Sequence, residues 1–260
     1  MANHDTALVT GASSGIGEAF ARKLAARGHH LVLVARDLGR LEQVAHQLEQ
    51  AHGTTTEVLA ADLRVPDELA RVEARVAAGD RPVAVLINNA GHGSRGSFRG
   101  LDIRAETGQI ALNVTAVVRL THAAMAAMMP RRTGAIVNVS SAAGFQPAPF
   151  NAVYAATKAF VTSFTEAVHE EAVGSGVKVT CLCPGFTRTG FQRAAGVGAD
   201  WLPAFAWSTA EEVAAAGLAA LDRNQALCVP GLPYKLAAGL LPVLPRGLVR
   251  WGAARVTRRL

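Results

Sequence analysis

Thr6-Ala7-Leu8-Val9-Thr10-Gly11-Ala12-Ser13-Ser14-Gly15-Ile16-Gly17 is the stretch that decides the fold. A strand-length, mostly apolar run enters a glycine-rich turn, and an Ala- and Leu-bearing helical segment follows at once, over residues 15–27. Glycines in such a turn let the backbone bend tightly and approach a pyrophosphate. The helix N-terminus behind them offers free N–H groups and positive partial charge. The spacing is G-x-x-x-G-x-G rather than the commoner G-x-G-x-x-G, and a purely structural turn also needs glycine. The order strand, loop, helix near the start of the chain favours the nucleotide reading, with Gly11, Ser13, Ser14, Gly15, Ile16 and Gly17 as the phosphate-binding set.

The same rhythm continues to the end of the chain. Apolar runs of strand length fall near 31–35, 56–60, 83–87, 134–139 and 177–182, with a short late one near 227–229. Helical segments lie near 66–78, 103–129, 152–173 and 209–221, and Leu38, Leu41, Val44, Ala45 and Leu48 mark the buried face of another. Such alternation makes a parallel sheet covered on both sides. The expected fold is α/β, a Rossmann-type doubly wound sheet of about seven strands in a single domain. Residues 1–230 form that domain, with a substrate-covering segment at about 186–210, and residues 231–260 are a basic, leucine-rich extension.

At 260 residues, 50% apolar and 18% charged, the chain is not disordered, collagenous or coiled coil. No run of about 18 uninterrupted apolar residues occurs, so a spanning helix is not expected. The first residues carry no export pattern. Three cysteines are an odd number, and Cys181 and Cys183 share a strand face, which suits a reduced core in a cytoplasmic protein. The eight histidines form no zinc-ligand spacing, and no metal is expected. The formal charge of +6 is local. Six of the 26 basic residues (Lys235, Arg246, Arg250, Arg255, Arg258, Arg259) fall after Gly231 with no acidic one, leaving 20 against 20 elsewhere. That is not the charge distribution of a nucleic-acid binder.

Tyr154 and Lys158 stand four apart in a helical segment and project from one face toward a common ligand. In a chain with two tyrosines and four lysines, chance gives that spacing about three times in a hundred. A phenol of pKa about 10 is a poor proton donor or base at neutral pH, and a neighbouring ammonium is expected to lower that value.

With the glycine turn, Asp62-Leu63, Asn88-Asn89-Ala90-Gly91, Ser141 and Pro184-Gly185 followed by Thr187 and Thr189, this pair falls in the order of one family. Residues 5–190 resemble the short-chain dehydrogenase/reductase family. The resemblance implies an oxidoreductase that moves a hydride between a nicotinamide and a carbonyl or secondary alcohol. It implies Tyr154 as general acid in reduction and base in oxidation, and Lys158 as its tuner and holder of the nicotinamide ribose. Ser141, rather than Ser140, corresponds to the partner of the substrate oxygen, and Asn113 to the residue that positions a water beside Lys158. Asp62 and Leu63 correspond to the adenine edge, and Asn89, Ala90, Gly91, Pro184, Gly185, Thr187 and Thr189 to the rest of the cofactor site. Plainer roles stay open: an N-cap for Asp62 and a local helix bond for Asn113.

The end of the second strand, Val34-Ala35-Arg36-Asp37, bears on the choice of dinucleotide. Ala35 stands where NAD-using members are acidic, and Arg36 follows as in NADP-using ones. Ser13 can add a hydrogen bond to the 2′-phosphate; Asp37, and a serine at Ser14 where some relatives are basic, argue the other way. NADP(H) is expected ahead of NAD(H), with a solvated turn residue as the alternative for Arg36. Serine hydrolysis finds no G-x-S-x-G elbow around Ser140-Ser141, and a non-catalytic NADP-binding regulator has no use for the set Ser141, Tyr154 and Lys158.

Phe186, Phe191, Trp201, Phe205 and Trp207 crowd the segment after the sixth strand, and Phe145 and Phe150 lie between Ser141 and Tyr154. They form either an apolar pocket for a bulky or long substrate or a lid that packs on the body. His92 is either a substrate contact or a surface-loop residue. The tail departs from the family's ketoacyl-carrier-protein reductases, which puts their tetramer in doubt, although a homo-oligomer is still expected. Pro242 and Pro245 break the tail into short helices whose leucines, Trp251 and cations suit either a membrane surface or a lid or dimer arm.

Overall fold

The structure, a computed structural model, describes residues 5–191 and 203–257. Strand β1 (Thr6–Thr10) is buried along its whole length, as a strand must be when helices cover both faces of its sheet. The chain then alternates through α1 (Gly15–Ala26), β2 (His30–Ala35), α2 (Leu38–His52), β3 (Thr56–Ala60), α3 (Pro66–Ala77) and β4 (Val83–Asn88). It continues with α4 (Ile103–Ile110), α5 (Ala116–Met128), β5 (Gly134–Val139), α6 (Ala152–Glu171) and β6 (Val177–Leu182). Two short strands, β7 (Thr187–Arg188) and β8 (Ser208–Thr209), pair with each other before α7 (Ala210–Asp222) and β9 (Leu227–Cys228). The extension forms α8 (Leu232–Leu240) and α9 (Arg246–Thr257).

Seven parallel strands lie in the order β3-β2-β1-β4-β5-β6-β9. The order reverses between β1 and β4, where the loops leaving the carboxyl ends diverge and open a crevice. On one face Phe20, Leu24, Leu41, Val44, Leu48, Val213 and Leu218 close over Val9, Leu33 and Ile87. On the other, Leu69, Val72, Val76, Leu120, Ala124 and Met128 close over Leu8, Val32, Leu86 and Ile136. Each of these side chains other than Ala124 contributes about 2 kcal/mol by leaving water, and together they hold the helices whose ends line the crevice.

A row of buried amides crosses the sheet beneath that crevice. Asn88 Nδ2 donates to Asn138 Oδ1 (2.9 Å) and Thr121 Oγ1 (3.2 Å), and Asn138 Nδ2 donates to Thr165 Oγ1 (3.1 Å). In a water-poor interior such bonds are strong and directional, so they fix β4 and β5 against α6, the helix that carries Tyr154 and Lys158.

Helices α4 and α5 join through a π turn, Ala111–Thr115, into one continuous helix. By length and hydropathy alone, the 26 residues of Ile103–Met128 would reach across a bilayer, which the absence of an uninterrupted apolar run did not suggest. Its Ala116, Val117, Leu120, Ala124 and Met128 are buried in the fold, and buried Glu106, Gln109 and Asn113 interrupt its apolar character. It is a sheet-covering helix.

Candidate active site

The turns after β1 and β4 are fastened to each other. Thr10 Oγ1 accepts from Asn89 N and Ala90 N (3.0 Å each), and Asn89 Nδ2 donates to Thr10 O (3.0 Å). Gly11 and Gly15 take φ of 67° and 58°, the left-handed region that suits glycine. Gly17 is needed for close approach, since a Cβ there would lie 2.1 Å from Gly11 O and 2.5 Å from Asn89 Nδ2. Ile16 packs toward the core, and Thr189 faces Gly15 from across the turn, 3.1 Å from where its Cβ would be. Ser14, the N-cap of α1, makes no side-chain cap, so the first N–H groups of the helix have no capping oxygen from it. Backbone donors, the positive end of α1 and space that a side chain would fill suit a diphosphate.

At the end of β2, Arg36 is exposed and makes no hydrogen bond or ion pair with the described residues. Asp37 is otherwise employed: its carboxylate caps α2 by accepting from Arg40 N (3.0 Å). Arg40 itself, which sequence spacing did not single out, donates from Nε to Ser13 O (3.1 Å) and pairs with Glu18 (3.3 Å). Asp62 is held by Arg64 through Nη2 (2.6 Å) and the backbone N (3.0 Å), and that side-chain bond keeps its carboxyl below the usual range. Leu63 beside it is buried.

Ser140 and Ser141 diverge as strand alternation requires. Ser140 is buried and bonded to Lys158 O (2.7 Å) and Thr162 Oγ1 (2.8 Å). Ser141 caps the short turn Ala142–Phe145, accepting from Ala143 N (3.1 Å), and hydrogen-bonds the half-buried phenol of Tyr154. Lys158 is 4% exposed and donates to Val139 O (2.8 Å), its Nζ 5.8 Å from the centroid of the Tyr154 ring. Burial pushes Lys158 down to about 8 and Tyr154 up to about 12, with the Ser141 hydrogen bond pulling the phenol the other way. The expected lowering of the phenol by Lys158 is therefore corrected: the ammonium is committed to the Val139 carbonyl, and the cost of desolvating a phenolate wins.

Asn113 sits in the π turn, fully buried, where the extra residue of such a turn swings a side chain out of helical register. Its Nδ2 donates to His92 O (2.9 Å) and Thr157 Oγ1 (3.1 Å), and its Oδ1 accepts from His92 N (3.1 Å). It thus clamps the loop after β4 onto α6. Asn113 Oδ1 and Lys158 Nζ flank Gly91, 3.1 and 3.5 Å from where a Cβ would lie. His92 is held by its backbone, with its ring half-buried. Gly93 belongs to the site as well: a Cβ there would lie 3.2 Å from the Tyr154 ring and 3.3 Å from Phe191. Its one sequence signal was a second glycine just past the Asn-Asn-Ala-Gly turn.

The aromatic residues divide. Phe191 lies against Tyr154 (centroids 5.7 Å apart), Phe186 against Trp207 (5.6 Å), and Phe145 is half-buried on the turn after Ser141. Phe150 is exposed, with φ of 64° and its carbonyl accepting from Gly96 N (2.9 Å). Phe205 does not join a pocket. It is 74% exposed on the outer turn Ala204–Ala206. Trp201 lies outside the described residues. Pro184 is buried, its carbonyl accepting from Ala142 N (2.9 Å), and Thr187 Oγ1 donates to Gly185 O (3.1 Å).

Tyr234 of α8 was not foreseen in the site. Its hydroxyl accepts from Phe186 N (3.2 Å) and donates to Ala206 O (2.7 Å), and its ring lies where a Cβ on Gly185 would collide at 2.1 Å. One side chain from the extension thus ties both ends of the 186–206 segment. Two hollows of about 240 and 390 Å³ lie at the opposite end of the strands, around His30 and Arg81 and around His29 and Lys178. None of the candidate site residues lines them. Among the described residues no cluster of His, Cys, Asp and Glu could hold a metal ion.

Residues 5–198 match the short chain dehydrogenase family, and the chain belongs to it: an oxidoreductase that uses a nicotinamide cofactor and acts on a carbonyl or alcohol group of a small molecule. It is similar to a short-chain dehydrogenase from Sphingobium yanoikuyae in complex with NADPH, at 38% identity over 98% of this chain and 94% of that one, with a TM-score of 0.84. It is also similar to the bulky-bulky ketone specific alcohol dehydrogenase from Comamonas testosteroni, at 34% identity, 94% and 96% coverage and a TM-score of 0.80. The very-long-chain 3-oxoacyl-CoA reductase of Anas platyrhynchos is 31% identical over 251 residues, 94% of this chain and 77% of that protein.

Proposed function

We propose that the protein is an NADP(H)-dependent reductase of bulky, apolar ketones or aldehydes, with Tyr154 as the proton donor. The observation that carries this reading is the convergence of Ser141, Tyr154 and Lys158 on the loop after β4, beside the glycine turn that fits a diphosphate. When bound, the nicotinamide supplies the hydride. The chain's own residues do the rest. The N-terminus of α1 with Gly11, Ser13, Ser14 and Gly15 binds the diphosphate, and Asp62 and Leu63 take the adenine edge. Asn89, Ala90, Gly91, Pro184, Gly185, Thr187 and Thr189 border the nicotinamide half, and Lys158 holds its ribose.

Ser141 orients the carbonyl oxygen and steadies the charge that develops on it. Tyr154, pushed up to about 12 by burial and therefore protonated at neutral pH, donates its O–H proton to that oxygen. Lys158, pushed down to about 8, exchanges protons near neutral pH and restores the one that is lost. Phe191 against Tyr154, and Phe186 with Trp207 nearby, support an apolar substrate. So do the bulky ketones and very long acyl chains in the names of the relatives.

The test is consumption of NADPH, and separately NADH, against ketones and aldehydes graded from small to long-chain and aromatic. Turnover should favour NADPH and rise with apolar size. A rate indifferent to size would remove the pocket, and tight NADPH binding without turnover of any substrate would remove the enzyme. Arg36→Ala should weaken NADPH by about 10- to 100-fold, the worth of one or two charge-assisted bonds to a phosphate, and leave NADH within about twofold. Fluorescence titration decides it, and equal losses would deny Arg36 the 2′-phosphate.

Tyr234→Phe keeps the ring over Gly185 and deletes both bonds of the hydroxyl. With each bond worth about 1 kcal/mol, Phe186 and Ala206 should be held loosely enough to raise KM for the apolar substrate about 5- to 10-fold, with kcat within about twofold. An unchanged KM would make Tyr234 a packing residue only.

A further inference from the structure

We propose that α8 and α9 form a docking surface for anionic lipid bilayers, seating the mouth of the crevice on the membrane. On α8 the half-buried residues are Tyr234, Ala237 and Ala238, whereas Leu232, Leu236 and Leu240, successive positions of one stripe, are 69, 57 and 58% exposed. A helix that served only to cover the body would turn its leucines inward and its alanines outward; this one is inverted. The apolar run continues through Val243 and Leu244 to Leu248 and Trp251 on α9. Seven exposed large apolar side chains within residues 232–251 exceed the scattered exposure of an ordinary surface.

Charge selects what covers them. Residues 223–260 contain no Asp or Glu and seven Lys or Arg. Lys235, Arg246, Arg250 and Arg255 are exposed, with the Arg255 guanidinium over the Trp251 ring at 3.9 Å. A second copy meeting this face through a twofold axis would bring cation against cation, with no carboxylate on the face to pair them. A layer of anionic headgroups supplies the opposite charge while the leucines and Trp251 enter the acyl boundary.

The surface also lies where it matters. Arg95 Nη2 donates to Thr257 O (2.5 Å) at the end of α9, and Tyr234 ties the start of α8 to Phe186 and Ala206. The extension therefore bridges the loop after β4 to Phe186 and Ala206, so that a substrate dissolved in the bilayer meets the crevice directly. That consequence rests on the apolar-substrate reading above; the docking itself does not.

The experiment is flotation of the full-length protein with vesicles of phosphatidylcholine alone and with about 30% phosphatidylglycerol, whose charge attracts each nearby cation by roughly 1 kcal/mol. The protein should float with the anionic vesicles only and be released at about 0.5 M salt. Arg246→Gln with Arg250→Gln should weaken binding by about 25-fold, and Leu236→Glu with Leu240→Glu should abolish it. NADPH affinity and the melting temperature in solution, unchanged in both variants, separate lost docking from lost fold. Absence of flotation with either vesicle overturns the proposal, as does equal flotation with both. So does conversion of a dimer to a monomer by the leucine variant without any vesicle binding, which would assign the face to a second copy. None of these readouts uses turnover, so docking and the reductase reading stand or fall separately.

Discussion

Tyr154→Phe is expected to lower kcat by about a thousandfold while NADPH affinity stays within about twofold, the loss that follows removal of a general acid. The substitution deletes one oxygen and little else. The ring keeps its place against Phe191 and Gly93, and Ser141 keeps its turn through Ala143 N, so a carbonyl can still be seated. What is missing is a proton aimed at the oxygen on which negative charge develops. Water can replace it only at a cost in geometry. Desolvation makes the distinction sharper, because a phenol held at about 12 is fully protonated at every pH where the enzyme would be assayed. Single-turnover measurement of NADPH oxidation by the variant, beside a binding titration, reads the two quantities apart. Turnover within tenfold of the wild type would move the acid to another group.

The parts of this arrangement that the sequence disclosed are those built within one element or one turn. Buried parallel strands are near-continuous apolar runs, and covering helices repeat at three and four, so the sheet and its helices could be placed from the chain alone. The glycine turn and the Tyr154–Lys158 spacing are local in the same sense. What stayed hidden depends on crossovers. Arg40 reaches Ser13 only because α2 returns beside the glycine turn, and Tyr234 meets Phe186 and Ala206 only because the extension folds back over the sheet end. Phe205 stands near the site in sequence yet sits on an outward turn. The direction of the Tyr154 shift was misread for a related reason: spacing shows that an ammonium is near, but burial and the Val139 carbonyl decide how much of its charge the phenol feels.

Lys158→Met should lower kcat by at least about a hundredfold and yet make the protein harder to unfold. Burial holds the ammonium down to about 8, against 10.5 for an ordinary lysine, so the folded chain binds this proton less tightly than the unfolded one. At pH 7 that difference costs the native state about 3 kcal/mol. Methionine keeps an unbranched apolar stem in the core but leaves the Val139 carbonyl without its donor, which returns about 1 to 2 kcal/mol. The variant should therefore be more stable by about 1 to 2 kcal/mol at pH 7, some 2 to 6 °C in Tm for a domain of this size. As pH rises from about 8 toward 10.5, the unfolded lysine also loses its proton and the wild-type penalty disappears, so the gap should close by up to about 1.4 kcal/mol per pH unit. Cys183 titrates beside it, its thiol held below the usual range by its hydrogen bond with Cys181 and then by Thr162, Ser140 and Lys158. Both proteins are accordingly compared in a Cys183→Ala background. Denaturant midpoints at about pH 7 and 9.5 decide the matter. A gap of equal size at both would mean that Lys158 is folded as an ordinary ammonium, and a proton relay working near neutral pH would lose its physical basis.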